Sequence, residues 1–178
     1  MGQIATLVRI DKKDFPKIAE HPENIGSLNL KKGDVSFEKT FEGFRFLLSK
    51  GQNKAIAELV HQIFYPITCV GEVIEFDKLD MDNLPDDFNF ESNAIYYNDP
   101  GKVTEIATFL DTISIDKLKE LFNAEELNEE GIYPVLWNTE TQEDIAFNIN
   151  HITYEFVEMK AFFSKAREEG DYVLNFIS

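Results

Sequence analysis

His151 and Glu155, in the segment HITYE, stand four residues apart and share one face if the segment is helical. That spacing suits one metal ion, one acid–base pair, or no more than a surface ion pair. No HExxH pattern accompanies it, and His21, His61 and His151 are far apart in the chain. Cys69 lies in the apolar run ITCV, which reads as a strand with a buried, inert thiol. Asp80, Asp82 and Asp86 offer oxygen ligands of the kind calcium takes. However, Leu84 and Pro85 stand where an EF-hand needs an acid or amide and a glycine, so a solvated loop is the simpler reading. With 33 acidic residues, paired carboxylates for glycoside hydrolysis are available, but nothing in the spacing singles out two of them. The phosphate-cradling patterns GxxxxGK[ST] and GxGxxG are absent, as is the GxSxG elbow. No catalytic residue, cofactor or metal is therefore expected.

Charge narrows the classes further. The 178 residues carry 17 basic and 33 acidic side chains, a formal net charge of −16. Such a field repels phosphate backbones and anionic lipid, so neither nucleic acid nor membrane is an expected direct partner. A basic protein is electrostatically welcome. The residues that could form such a contact are Asp82, Asp86 and Asp87 in the acidic stretch 77–91, together with Glu129, Glu130, Tyr133 and Trp137 in the segment NEEGIYPVLWN. In that segment Ile132 and Tyr133 read as a seal between helix and core. Trp137, the only tryptophan, reads either as a core plug or as part of a contact patch. A small-molecule pocket formed only by folding is the competing possibility, with Phe41, Arg45 and His151 as its candidates beside Tyr133 and Trp137. Carboxylates spaced to imitate nucleic-acid phosphates are a third.

Positioning these groups takes a folded domain. Sixteen phenylalanines and a 43% hydrophobic composition are enough for one sizeable core. The start, MGQIATLVRI, reads as a strand and not as a signal peptide. Thr6 fits a myristoylation pattern, but its apolar neighbours are strand-like. No run approaches the roughly 20 apolar residues that span a bilayer. With one cysteine no internal disulfide can form, and a reducing cytoplasm is the expected location.

After the first strand, Asp11 caps a short helix, and residues 21–30 are irregular. Helical spacing predicts a helix over Phe37–Leu48 and a second ending at Phe64 before Pro66. Ile67–Phe76 reads as a strand interrupted at Gly71, and residues 93–98 as another. Asp99-Pro100, Ser114 and Asn123 open three further helices, the last stopping at Gly131. Ile145, Ile149, Ile152, Phe156, Met159, Phe163 and Ala166 then make one stripe. It predicts a helix of about 28 residues capped by Thr141 and ended by Gly170, followed by a closing strand over Tyr172–Ile177. This helix is expected to lie across the sheet, with a dimer seam as the lesser reading.

Four segments in their order and spacing resemble the YfbM-like family of small bacterial proteins of unknown function over nearly the whole chain. They are MGQIATLVRI, FEKTFEGFRFLLSKG, LNEEGIYP and MKAFFSKAREEGDYVLNF. The resemblance implies one α/β domain of αβα type over residues 1–178, with a mixed sheet and helices on both faces; α+β is the alternative. It implies no activity. Family members often have Trp and His where this chain has Phe41 and Arg45, so no chemistry of that histidine would transfer. The expectation that results is a non-catalytic, acidic, cytoplasmic protein that binds a basic partner, as a toxin-neutralising immunity protein would. The alternative is a small-molecule binder or enzyme.

Overall fold

The computed structural model describes residues 2–26, 31–74, 92–142 and 145–178. Five strands form one sheet in the order β2-β1-β5-β4-β3. They are β1 (Ile4–Ile10), β2 (Lys31–Glu38), β3 (Thr68–Val70), β4 (Ile95–Asn98) and β5 (Tyr172–Ile177). Among the described residues seven α-helices accompany them: α1 (Phe15–Glu20), α2 (Phe41–Ser49), α3 (Lys54–Phe64), α4 (Pro100–Asp111), α5 (Ile115–Leu121), α6 (Ala124–Glu129) and α7 (Ile149–Glu169).

Strand alternation sorts the core into two unequal halves. Ala5, Leu7, Phe37 and Val173 face the large half, packed under α2 to α7. Ile10, Ile95 and Leu174 face the small half, covered by Phe15 and Ile18 of α1. Neighbouring residues of a strand point to opposite faces, so Val173 and Leu174 serve different cores. In the large core Phe37 meets Phe44 and Phe64 edge-on, with ring centroids 5.7 and 5.3 Å apart. Each fully buried ring or branched side chain contributes about 1.5–3 kcal/mol.

The layered αβ architecture, the long C-terminal helix and the final strand are as expected. The sheet differs from the mixed one expected: all four pairings are antiparallel, closer to the α+β alternative. Gly170, with φ 67°, turns the chain out of α7 and sends β5 between β1 and β4, against both. Apolar periodicity shows which residues are buried, not which way a neighbouring strand runs.

Boundaries move for local reasons. Phe37 belongs to β2, and α2 begins only at Phe41, because Lys39 (φ 66°) breaks the chain direction between them. In the helix after β1 the N-cap position falls to Asp14, whose side chain makes no cap bond, while the Asp11 side chain accepts the Lys13 N–H in a turn. The long helix has 21 residues, not 28, and its cap is Asn148, which accepts the N–H groups of Asn150 and His151. Asn148 and Asn150 donate to the carbonyls of Gln142 and Thr141, tying those two residues to the start of the helix, and Phe147 just before it adopts φ 58°. Cys69, expected buried, is partly exposed in β3. No helix among the described residues is long and apolar enough to cross a membrane.

One polar cluster sits inside the sheet layer. A bulge between Arg9 and Ile10 leaves Lys32 without a strand partner, which aims it beside Arg9. Arg9 donates to Asp171 at 2.9 and 3.0 Å and reaches Glu169 at 3.0 Å, while Lys32 binds Asp171 at 2.8 Å. Asp171 is fully buried. Removing one partner of a buried ion pair strands the other charges, so Asp171→Ala is expected to lower unfolding stability by about 3–5 kcal/mol, read by urea denaturation.

Candidate functional site

α2 buries Phe41, Phe44, Leu47 and Leu48, which leaves Glu42 and Arg45 on its outer side. α3, capped by the Asn53 side chain accepting the Ile56 N–H, buries Val60, Ile63 and Phe64. Its outer side presents His61, and Tyr65 follows at the helix end, one turn on. Phe41 and Phe64 pack at 5.9 Å and hold the two helices together, so their polar sides meet along a seam.

There the groups interlock. The Glu42 carboxylate accepts the Tyr65 hydroxyl at 2.5 Å through one oxygen and Arg45 at 2.9 Å through the other. Arg45 also lies 3.5 Å from His61 Nδ1 and stacks over the Tyr65 ring at 5.4 Å. The His61 ring stacks on Tyr65 at 5.0 Å. With a guanidinium donating toward Nδ1, the ring proton belongs on Nε2. Burial, then the charge of Arg45, pull the His61 pKa below its usual 6.5. Burial, then the hydrogen bond to Glu42, push Tyr65 up to about 12. Both oxygens of Glu42 are engaged and Tyr65 holds its proton, so at neutral pH the cluster is a set of fixed dipoles and donors.

The seam opens into a cleft of about 410 Å³, whose third wall is Ile132. Lys50 beside it binds Glu126 of α6. Ile132 is held there by Trp137. The indole sits on Gly43 of α2, where a Cβ would lie 2.2 Å from the ring, and Trp137 Nε1 donates to the Ile132 carbonyl at 2.8 Å. The Asn128 side chain clamps the Trp137 backbone at both ends, accepting its N–H and donating to its carbonyl. With Trp137 pinned, Val135 and Leu136 project outward, 48% and 60% exposed. Val135 adopts φ 60°, which a β-branched residue rarely does.

The candidates from sequence separate accordingly. Glu129 and Glu130 are exposed at the end of α6, as a contact role requires. Tyr133 is half-buried: its ring packs near Phe41 at 6.5 Å and its hydroxyl accepts the Gln3 N–H. Trp137, only 4% exposed, is the plug, which corrects its reading as a contact residue; Val135 and Leu136 are the exposed apolar residues of that run. Arg45 lies in the cleft and Phe41 is buried in the core. His151 is not beside them. It sits past Trp137 and Phe147 in a chain of rings, accepts the Phe147 N–H at Nδ1, and meets Glu155 at 3.3 Å. That pair is no surface pair, since Glu155 is buried. The hydrogen bond to Glu155 raises the His151 pKa, while the Phe147 N–H occupies the nitrogen a second proton would need. Asp82, Asp86 and Asp87, and the calcium reading of their loop, lie outside the described residues. Sequence reasoning passed over His61, Tyr65, Val135 and Leu136. The one available signal was the i, i+4 spacing of His61 and Tyr65. No group of three or more potential metal-ligating side chains converges among the described residues.

With this geometry in hand, the chain can be set beside known proteins. A family model described as a domain of unknown function, DUF1877, matches residues 1–176. The crystal structure of a protein of unknown function, YfbM from Escherichia coli, superposes with a TM-score of 0.60 at 15% identity, covering 98% of this chain and 99% of that one. At that identity the likeness is one of fold. No curated protein matches.

Two outcomes test the site's construction. Gly43→Ala puts a methyl into the indole, so it is expected to cost about 1–3 kcal/mol and to red-shift tryptophan emission as Trp137 lifts. For His61, a lowered folded pKa means that its full contribution is present above 6.5, the unfolded value. The contribution is lost as pH falls from there through the folded pKa. His61→Gln should therefore flatten the drop in denaturation midpoint below 6.5. The change is small, because the ring is largely open to water.

Proposed function

The chain belongs to the family described as a domain of unknown function, DUF1877, and from that premise we propose that it is a non-catalytic protein of the cytoplasm that captures a basic protein partner. It does so as one domain over residues 1–178. The observation that carries the reading is the exposed Val135–Leu136 pair in a run of exposed acids: Glu129 and Glu130 precede it in the chain at the end of α6, Glu140 follows it, and Glu125 lies one turn back along α6. None of these four has an ion-pair partner among the described residues, whereas Arg9, Lys32, Arg45, Lys50 and Arg167 are each paired internally.

An apolar centre with a charged rim is the usual anatomy of a protein contact, because water leaves the centre and the rim selects the partner's sign. The net charge of −16 adds long-range attraction, which speeds association with a basic partner. Rigidity helps as well. Trp137 and the Asn128 clamp hold the loop before any partner arrives, so little ordering cost remains. Neutralising a basic toxin is the role that suits a small acidic binder of this kind.

Affinity capture from the native lysate tests the reading. Wild type should retain a basic protein that salt releases. Leu136→Asp should lose it through faster dissociation, and Glu129→Lys with Glu130→Lys should slow association about tenfold or more. Retention of nothing, or of a protein indifferent to all three changes, overturns it.

A further inference from the structure

A second cavity, of about 510 Å³, opens on the helical side of the sheet where β4 stops short of the end of β5. The last pair between those strands is Tyr96 with Asn175. Beyond it, β5 continues for two residues, paired only to β1. Ile4 and Ser178 exchange both backbone hydrogen bonds at 2.9 and 3.1 Å. The antiparallel ladder alternates, so Phe176 also bonds toward β1 and Ile177 directs its N–H and C=O the other way, into the opening. Among the described residues they meet no strand there.

The floor of the cavity is Asn175, 93% buried given its exposure of 7%. Its Nδ2 donates to the Ile63 carbonyl at 2.7 Å, closing the C-terminal end of α3. Its Oδ1 is buried and accepts nothing. Flipping the amide is no remedy, since it would set oxygen against the Ile63 oxygen and leave an N–H unpaired instead. A buried carbonyl without a donor is costly, and a ligand that supplies the donor relieves it. The walls are Phe64, Pro66, Ala94, Tyr96 and Ile177, and no lining side chain is charged. The Tyr65 hydroxyl at the margin is already given to Glu42. The cavity's size lies within the range that holds small molecules, roughly 300–1,000 Å³.

We infer that this cavity is a binding site for a neutral, largely apolar small molecule carrying an amide-type N–H, which donates to Asn175 Oδ1 once a small shift of that amide uncovers the oxygen, while its apolar body lies against Phe64, Tyr96 and Ile177. A charged ligand finds no side-chain counter-charge there. A purely apolar one leaves the Asn175 oxygen as it is. The site is distinct from the cleft at Arg45 and from the Val135–Leu136 surface, and it does not rest on the proposed partner.

N-Methylnaphthalene-2-carboxamide and the shape-matched methyl naphthalene-2-carboxylate test it. They share the ring and the carbonyl and differ in the N–H. Titration of the whole chain, followed by calorimetry and by the Asn175 side-chain amide signal in NMR, should show the amide binding at least about tenfold tighter than the ester. Asn175→Leu should abolish that preference. If that variant fails to fold, Ile177→Trp serves, because it fills the mouth from a partly exposed position and should abolish binding of the amide. Equal affinities, no saturable binding of the amide, or binding that survives Ile177→Trp overturn the site.

Discussion

The contact of one indole with one glycine governs how the outer surface of this protein is arranged. Trp137 can lie on α2 only because residue 43 has no Cβ; any larger residue would put a carbon 2.2 Å from the ring, well inside van der Waals contact. The contact is anchored from both sides, by the hydrogen bond to the Ile132 carbonyl and by the two-ended grip of Asn128. Three consequences follow. Ile132 is brought to the cleft beside Arg45 and His61, α6 is tied to α2, and the short run between Ile132 and Trp137 must bulge outward. A tryptophan with its N–H satisfied inside an apolar setting is a strong fixed point, because both its area and its polar end are accommodated.

Electrostatics divides the same molecule into an interior and an exterior role. Several cations tie elements of the fold together. Arg9 and Lys32 are gathered around the buried Asp171, and Arg167 joins α7 to Asp111 at the end of α4. Lys50 joins α2 to α6. Carboxylates outnumber cations nearly two to one, so the remainder face water. This makes the surface selective in sign while the sheet layer stays locally compensated.

The two cavities illustrate different physics. At the cleft each polar atom of Glu42 has a partner, and the group is held by mutual satisfaction. At the end of β5 one carbonyl is left over, because Asn175 must turn its donor to the exposed end of α3. Both arise where α3 terminates, and Tyr65 stands between them. A helix end has carbonyls to satisfy, and side chains recruited for that purpose are drawn from whatever else they could have done.

Much of the element list was legible in the residues alone. Asp99-Pro100, Ser114, Asn123 and Gly170 act through their nearest neighbours, so caps and stops read correctly. The stripe from Ile152 to Ala166 is a property of one helix, and its burial followed. The class, a layered αβ fold ending in a helix and a strand, comes from these local terms together. Pair direction in the sheet, the start of α7 and the assignment of Phe37 to a strand depended on distant partners or on left-handed residues, to which periodicity is blind. The site was less legible still. Arg45 and His61 are 16 positions apart and meet only because two apolar faces press their helices together. Trp137 read first as a plug and second as part of a patch, and only its seat on Gly43 decided between them. Sequence set which side chains avoid water and how much charge the surface must carry, since those follow from composition and short-range spacing. Tertiary packing alone chose which polar groups became neighbours, because that is decided by contacts between elements that no local pattern encodes.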